Sequence, residues 1–236
     1  MNFATFVLGA LLLVPALLIA IPVHEMGHAA AAYFLGDKSV RYFGYFSIDP
    51  RRFLDPLGVI AVFVALVGWG RKVPVQPNRI RTPQQQVLFE LGGPAANLIV
   101  AIAFGIVLRI LARMGIVAAI DLSPADLIAA AVYVIVFLNL SIFAFQLLPI
   151  PGLDGWNIIE AIFRRRNPRF FFDVSARKRE IWAGCVVVLL LFQFLQGYNL
   201  LNVVMTPFYE PASLISMGSC GGYGIPGLVG LHPCLL

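Results

Sequence analysis

Residues 22–37 read PVHEMGHAAAAYFLGD, and they place two histidines and a glutamate inside an apolar run that extends from Phe3 to Leu35. A helix that crosses a bilayer core needs about 20 predominantly apolar residues, so this run is long enough to cross. Ionisable side chains inside such segments are energetically expensive and usually serve a function. The stretch therefore predicts a membrane helix that carries a polar site.

The composition of the whole chain is typical of an integral membrane protein. Of the 236 residues, 60% are hydrophobic and 12% are charged, whereas soluble domains average about 45–50% apolar and about 25% charged residues. An ordinary soluble enzyme is therefore excluded. The net charge of +5 is interpreted as loop charge that sets the orientation in the membrane, and no nucleic-acid partner is expected.

Five apolar runs predict the topology. Four are long enough to cross the bilayer, and the second, Leu57 to Trp69, is too short and is predicted to be re-entrant. The long runs are residues 3–35, 87–108, 125–150 and 181–205. If the short run enters and returns, 15 of the 17 Lys and Arg residues lie on one side, whereas a crossing divides them 11 to 6. The positive-inside rule favours four spans with both termini outside.

Two segments on the predicted inner side indicate β structure. Residues 40–48, VRYFGYFSI, are rich in aromatic and β-branched side chains. Residues 72–76, KVPVQ, are a candidate edge strand, because proline is tolerated at a sheet edge. The predicted fold class is a mainly α membrane protein with about four transmembrane helices plus a re-entrant or β-hairpin membrane-associated element.

The HEMGH motif at residues 24–28 matches the pattern H-E-x-x-H. His24 and His28 lie one helical turn apart on one face and can bind one metal ion, with Glu25 beside it as a general base. The alternative is that the histidines lie at a wet helix end and bind nothing.

A catalytic zinc ion takes three protein ligands and keeps an open position for water. Asp154, in QLLPIPGLDGWN, follows the fourth long run at the same predicted membrane face as HEMGH. Its alternative role is a helix N-cap, and Glu160 is a weaker candidate ligand. His232 lies in the tail on the predicted outer side and is expected not to be a ligand.

The stretch GGPAAN, residues 92–97, opens the run at residues 87–108. Its small residues allow close helix packing. Asn97 could donate a hydrogen bond to a carbonyl oxyanion, or it could form an interhelical hydrogen bond instead. Glu90 has no assigned role.

Together, HEMGH, GGPAAN and LLPIPGLDG resemble the motifs of the site-2 protease family of intramembrane zinc metalloproteases, in its short form without a PDZ domain. The resemblance implies one Zn²⁺ per chain, held by His24, His28 and Asp154. It also implies that Glu25 activates water and that Asn97 holds the substrate or stabilises the oxyanion. Gln146 and Gly152 depart from the family pattern, which often has Asn and Pro at these positions.

The resemblance implies a domain over residues 1–206, with HEMGH, GGPAAN and the LDG at 153–155, followed by a Gly-rich C-terminal tail over residues 207–236. It implies a multi-pass plasma-membrane enzyme, with its active site towards the cytoplasm, that cleaves membrane-anchored proteins within or near their transmembrane segments. The alternatives are a metal-ion transporter that uses the same His/Asp cluster and a protease-like protein that only retains its substrates. The residue pattern leaves the substrate and the oligomeric state open.

An unwound substrate could pair with the predicted edge strands by β-augmentation. The residues expected to contact it are Val40, Tyr42, Val73 and Val75. Cys220 and Cys234 could form a disulfide or remain free, and Cys185 is expected to pack in an apolar run.

Overall fold

The computed structural model describes residues 3–47, 49–65, 69–76, 78–116, 124–195 and 200–218, and most of these residues are helical. The helices are α1 (Phe3–Phe34), α2 (Ser39–Tyr42), α3 (Pro56–Ala65), α4 (Pro83–Arg113), α5 (Pro124–Gln146), α6 (Asp154–Phe163), α7 (Pro168–Ala176), α8 (Lys178–Leu195) and α9 (Leu200–Met217), with a 3-10 turn at Pro50–Arg52.

Three helices among the described residues are long and apolar enough to cross a membrane. They are Gly9–Phe34 within α1, the whole of α4, and Leu127–Gln146 within α5. These helices confirm three of the predicted long runs and the mainly α fold class. The fourth predicted span, residues 181–205, is divided between α8 and α9, and its residues 196–199 lie outside the described part.

Helices α1, α4 and α5 form the centre of the molecule, and α1 and α4 approach until their backbones touch. A Cβ atom added at Gly92 of α4 would lie 2.7 Å from the carbonyl oxygen of Gly27 in α1 and 2.8 Å from the Cβ of Ala31. Only small residues permit such a crossing. The close approach brings the HEMGH motif directly against the start of the GGPAAN stretch.

The described part of the short apolar run lies in α3, a helix of 10 residues that is about 15 Å long, shorter than a bilayer core of about 30 Å. The residues that precede and follow this run lie next to each other. Leu54 and Gly70 form an antiparallel β-bridge, and the backbone N–H of Arg71 donates to the carbonyl of Phe53 at 2.8 Å.

The predicted strand at residues 40–48 is wrong. Residues Ser39–Tyr42 form the short helix α2, and turns follow it as far as residue 47. The carboxylate of Asp37 starts this helix by accepting hydrogen bonds from the backbone N–H and the hydroxyl of Ser39. Aromatic and β-branched composition reflects a fit to a half-buried surface more than a backbone preference, and no neighbouring strand is present among the described residues.

The predicted edge strand at residues 72–76 is wrong as well, because the described residues form no strand there. This segment is instead held by single contacts. The backbone N–H of Gln76 donates to Asp37 Oδ2 at 2.7 Å, and the hydroxyl of Tyr45 donates to the carbonyl of Lys72 at 3.4 Å. Residues 69–76, which we call the cover segment, are thereby fixed over α1.

Helix α9 packs against the C-terminal half of α4. The Arg109 guanidinium of α4 donates to the carbonyls of Ile215 and Ser216, at 2.5 and 2.6 Å. These carbonyls lie in the last turn of α9, where backbone acceptors lack helical partners. Helix α9 also runs across the predicted domain boundary between residues 206 and 207.

Candidate metal centre

Three side-chain donors converge at the crossing of α1 and α4. The Nε2 atoms of His24 and His28 lie 3.1 Å apart, and each lies 3.1 Å from Oδ2 of Asp154. All three residues are buried, with at most 5% of their surface exposed. The structure thus brings together the three residues that the sequence singles out as candidate ligands. Two of them, His28 and Asp154, are 126 positions apart in the chain.

Each donor is placed by the local fold. His24 and His28 occupy positions i and i+4 of α1, so both rings lie on one helix face. Asp154 is the first residue of α6, and the N-cap is Leu153. The alternative role of Asp154 as an N-cap is therefore not the one that the structure shows, since its Oδ2 faces the two histidines.

Backbone and amide oxygens fix the orientation of both imidazole rings. Nδ1 of His28 lies 2.9 Å from the carbonyl oxygen of Phe89, and Nδ1 of His24 lies 2.7 Å from Oδ1 of Asn97. Because both oxygens can only accept, each Nδ1 carries the proton in the neutral ring. Each Nε2 then presents a lone pair to the other histidine and to Asp154.

Asn97 is itself held by two further contacts. Its Nδ2 donates to the carbonyl of Ala20 at 2.9 Å and to Oδ1 of Asn139 at 2.8 Å. Asn139 Nδ2 in turn donates to the carbonyl of Ile135 at 2.8 Å. Since carbonyl oxygens require a donor, the two amides have one possible orientation. Both asparagines are fully buried, and both amide hydrogens of Asn97 are used.

The donor set fits a zinc ion. In the neutral tautomers, the two Nε2 atoms and Oδ2 of Asp154 face one another with lone pairs and no hydrogen between them. A cation at their centre would stabilise this arrangement. Ligands bound tetrahedrally at about 2.0–2.1 Å lie about 3.3 Å apart, close to the 3.1 Å seen here. Two imidazoles and a carboxylate are also typical zinc ligands, and His–backbone contacts like that of His28 are usual around such sites.

Gly93 of α4 leaves the space that this arrangement needs. A Cβ atom at this position would lie 2.7 Å from Nε2 of His24 and closer still to Nε2 of His28. An alanine would therefore push against both metal-facing nitrogens at once.

Glu25 lies next to the three donors. Its side chain is buried, with 4% exposed, and its Oε2 has no hydrogen-bond partner among the described residues. On its other side, a Cβ atom at Gly70 of the cover segment would lie 2.6 Å from Oε1 of Glu25. A buried carboxylate oxygen without a partner can accept a proton from a water molecule at the adjacent metal position.

The charge state of Asp154 suits a ligand. Burial alone would raise the pKa of this carboxyl, but in the metal-free site the charge of protonated His28 and the hydrogen bonds that His24 and His28 then donate hold it well below its ordinary value, and a bound cation would take the place of those protons. Asp154 is therefore ionised at neutral pH.

A cavity of about 1510 Å³ opens beside the site, lined by the metal-facing residues, the cover segment, and α6 to α8. Its wall contains polar residues to which the sequence reasoning assigned no role. Asn157 of α6 donates to Oε2 of Glu90 at 3.0 Å, and the ammonium of Lys178 donates to Oδ1 of Asn157 at 3.2 Å. Glu90 and Lys178 were visible as charges, but their pairing through Asn157 depends on the packing of three helices.

The predicted substrate-contacting residues divide into two groups. Val73 and Val75 line the cavity. Val40 is fully buried in the core and Tyr42 is 88% exposed, and neither lines the cavity. Cys185 is a free thiol, whereas His232, Cys220 and Cys234 lie outside the described residues.

The chain is similar to bacterial proteins that bear zinc metalloprotease names. It is 36% identical over 151 residues to "Putative zinc metalloprotease YwhC" of Bacillus subtilis, across 63% of this chain and 67% of that protein. It is 34% identical over 159 residues to "Putative zinc metalloprotease Rip2" of Mycobacterium tuberculosis, across 64% of this chain and 57% of that protein. Rip2 of Mycolicibacterium smegmatis is 30% identical over 187 residues, across 77% of this chain and 66% of that protein. No family model and no solved structure matches the chain.

Proposed function

This chain belongs to the site-2 protease family of zinc metalloproteases, and on that premise we propose that it is an intramembrane endopeptidase. It hydrolyses peptide bonds within or near the transmembrane segments of membrane-anchored proteins. The observation that carries the proposal is the meeting of His24 Nε2, His28 Nε2 and Asp154 Oδ2 at 3.1 Å. Beside them lies Oε2 of Glu25, which has no hydrogen-bond partner in the described part of the chain.

The chain's own residues divide the chemistry between binding and proton transfer. His24, His28 and Asp154 would hold a Zn²⁺ ion, which would supply a Lewis acid for the scissile carbonyl and lower the pKa of bound water to about 7. Glu25 accepts a proton from the attacking water at Oε2 and later delivers it to the leaving amine. The burial of these groups beneath the cover segment limits competing water.

Asn97 orients His24 in this proposal. Both of its amide hydrogens already bind Ala20 and Asn139, so contact with a substrate oxyanion would require one of these bonds to break. Gln146, the last residue of α5, is a second amide side chain that lines the cavity and is buried, with 4% exposed. We assign it to the substrate side of the site.

The cover segment is the place where an unwound substrate lies. Its residues 71–76 run without regular secondary structure along the cavity, so an extended peptide can align with it by main-chain hydrogen bonds. Val75→Pro should lower cleavage and leave zinc bound, whereas Val75→Ala should change cleavage little. Equal cleavage by the proline variant and the wild type would contradict this placement.

The proposed topology has four crossings, with the active site towards the cytoplasm. Glu90 and Arg109 lie about 28 Å apart along α4, at about 1.5 Å per residue, which matches the thickness of a bilayer core of about 30 Å. Helix α8 begins beside Glu90, through Asn157, and α9 ends beside Arg109. Helices α8 and α9 together therefore lead from one end of α4 to the other. Leu54 and Gly70 lie side by side, which supports a re-entrant α3.

The test of the function combines metal analysis with cleavage of a membrane-anchored reporter by the purified protein. We expect about one zinc per chain and cleavage by the wild type. Glu25→Gln should retain zinc and lose at least about 100-fold in cleavage rate, as is typical of the loss of a general base. Glu180→Gln, at another carboxylate that lines the cavity, is the matched control.

The same variants separate the protease from a transporter. In a metal transporter, zinc flux into proteoliposomes would occur and would survive Glu25→Gln. Cleavage by Glu25→Gln at the wild-type rate would rule out the proposed role of this carboxylate.

A further inference from the structure

The cavity beside the metal centre carries an uneven distribution of charge. Six cationic side chains line it: Arg71, Lys72, Arg164, Arg177, Lys178 and Arg179. All are exposed except Lys178, which is half-buried, whereas the metal-facing residues are buried. The cations therefore lie at the solvent end of the cavity, which we call the basic mouth, and the catalytic groups lie at its buried end.

The six cations of the basic mouth outnumber the four carboxylates that line the cavity besides Glu25 and Asp154, namely Asp55, Glu90, Glu160 and Glu180. Arg164 lies 3.5 Å from Oε1 of Glu160. The other five cations have no carboxylate within 4.0 Å among the described residues. A cavity that keeps most of its cations unpaired is suited to an anionic ligand.

Two of these cations come from different segments that meet beside the cavity, where Trp69 of the cover segment contacts Trp182 of α8. Lys72 belongs to the cover segment, and Lys178 is the first residue of α8. Lys178 is held in place because its ammonium donates to Asn157, which donates to Glu90. Burial, followed by the charge of Lys72, lowers the pKa of Lys178 below its ordinary value. Glu160, Glu90 and Asp154 act in the opposite direction, but none of them lies within 4.0 Å of either ammonium group among the described residues, so a substrate carboxylate that contacts both would reduce the repulsion between them.

We propose that Lys72 and Lys178 form a subsite that binds an acidic side chain of the substrate, close to the scissile bond. The inference rests on the proposed function, because an extended peptide along the cover segment passes Lys72 on its way to Glu25. An anionic lipid headgroup is the less favoured ligand, since Lys178 is half-buried and donates to Asn157, three residues after Asp154 in α6. A side chain of a peptide already bound in the cavity reaches this position without further displacement.

The test measures peptide binding to the zinc-loaded Glu25→Gln protein in detergent, by fluorescence anisotropy. The two probes are a labelled apolar peptide that carries one Asp and the same peptide with Asn in its place, and the position of this residue is varied along the peptide. At the best position we expect the Asp peptide to bind about tenfold more tightly at low salt, and the difference to shrink as salt screens the charges.

The variants assign the effect to the subsite. Lys72→Gln and Lys178→Gln should each remove most of the preference for Asp, and Lys72→Glu should invert it towards a peptide that carries Lys. Arg165→Gln is the matched control, because Arg165 is an exposed neighbour of Arg164 that does not line the cavity. Zinc content confirms that each variant is folded.

Three results would overturn the subsite. The first is equal affinity for the Asp and Asn peptides at every position, and the second is the absence of binding by either peptide. The third is that Lys72→Gln weakens binding to phosphatidylglycerol nanodiscs but not to the Asp peptide, which would make the basic mouth a lipid site. Cleavage by the wild type is scored separately: if it cleaves both peptides without preference, only the subsite fails, and if it cleaves no reporter, the proposed function fails.

Discussion

His24 donates a buried hydrogen bond of 2.7 Å to Asn97, although 73 positions separate the two residues in the chain. The bond selects the tautomer of His24 and turns its Nε2 towards Asp154. Asn97, the last residue of the GGPAAN stretch, thus contacts the ring nitrogen of His24 that points away from the metal position. The orientation of Asn97 depends in turn on Asn139, so side chains from α1, α4 and α5 together fix the orientation of the His24 ring.

Replacement of Asn139 by leucine should therefore weaken zinc binding without removing any ligand. One amide hydrogen of Asn97 would lose its partner in a fully buried position, and Asn97 could rotate away from His24. We expect the zinc affinity, measured by competition with a chelator, to fall about 10- to 100-fold, the usual effect of such supporting residues. Ser141→Ala is the control, because its buried hydroxyl has no hydrogen-bond partner among the described residues. Unchanged affinity in the leucine variant would show that Asn139 only packs.

A single methyl group at Gly93 should disturb the metal centre directly. The added carbon would contact the Nε2 atoms of both histidines, so one ring must move or α4 must retreat from α1. Gly93→Ala should lower the zinc content of the purified protein and abolish reporter cleavage. Gly184→Ala adds the same methyl group where no atom of the described residues lies within 4 Å and should change neither quantity. Full zinc occupancy in Gly93→Ala would contradict the geometry described above.

Asp154→Asn tests the proposed role of Asp154 as the third ligand. The neutral amide keeps the size of the side chain but loses the charge that faces the two histidines, and we expect zinc affinity to fall more than about 100-fold, beyond the usual loss for a supporting residue. Glu160→Gln, the weaker candidate, should leave the affinity unchanged, because Glu160 pairs with Arg164 and lies outside the cluster. If Glu160→Gln lowered the zinc affinity and Asp154→Asn did not, Glu160 and not Asp154 would be the third ligand.

The attachment of the cover segment should resist mild acid. Burial would raise the pKa of Asp37, but hydrogen bonds from the Gln76 backbone and from Ser39 hold it below its ordinary value. A lowered pKa gives stability that is complete above the unfolded value of about 3.9 and is lost as the pH falls through the folded value.

Amide hydrogen exchange, corrected for its intrinsic pH dependence, measures this attachment. The protection of the Gln76 amide should stay constant from pH 8 to 5 in the wild type and fall at least about tenfold in Asp37→Asn at pH 7, for the loss of about 1.4 kcal/mol. Asp49→Asn is the control, since the side chain of Asp49 contacts Arg51 and Arg52 of its own turn. Loss of wild-type protection already near pH 6 would contradict the assignment.

Much of the site could be predicted, because its signals are local or topological. The spacing of His24 and His28 places them on one helix face by geometry alone. Asp154 required a second step, in which the count of loop charges assigned two distant segments to one membrane face. Both arguments use properties that the sequence carries without knowledge of packing.

The errors and omissions have a different origin. Val40 and Tyr42 were expected on a strand because their residue types suit a half-buried surface, but Asp37 starts a helical turn there and no partner strand is present among the described residues. The role of Asn139 and the link from Glu90 to Lys178 through Asn157 depend on which side chains meet when three helices pack. No periodicity or motif encodes those meetings.

The hydrogen bonds from Arg109 fix the last turn of α9 against α4. Helix α9 has 18 residues and is about 27 Å long. A tilt of about 10° around Ser216 would leave the gripped end in place and carry the opposite end about 5 Å, more than the width of a water molecule. Such a rotation would displace α9 least at Ser216, where the arginine contacts two carbonyls, and most at Leu200.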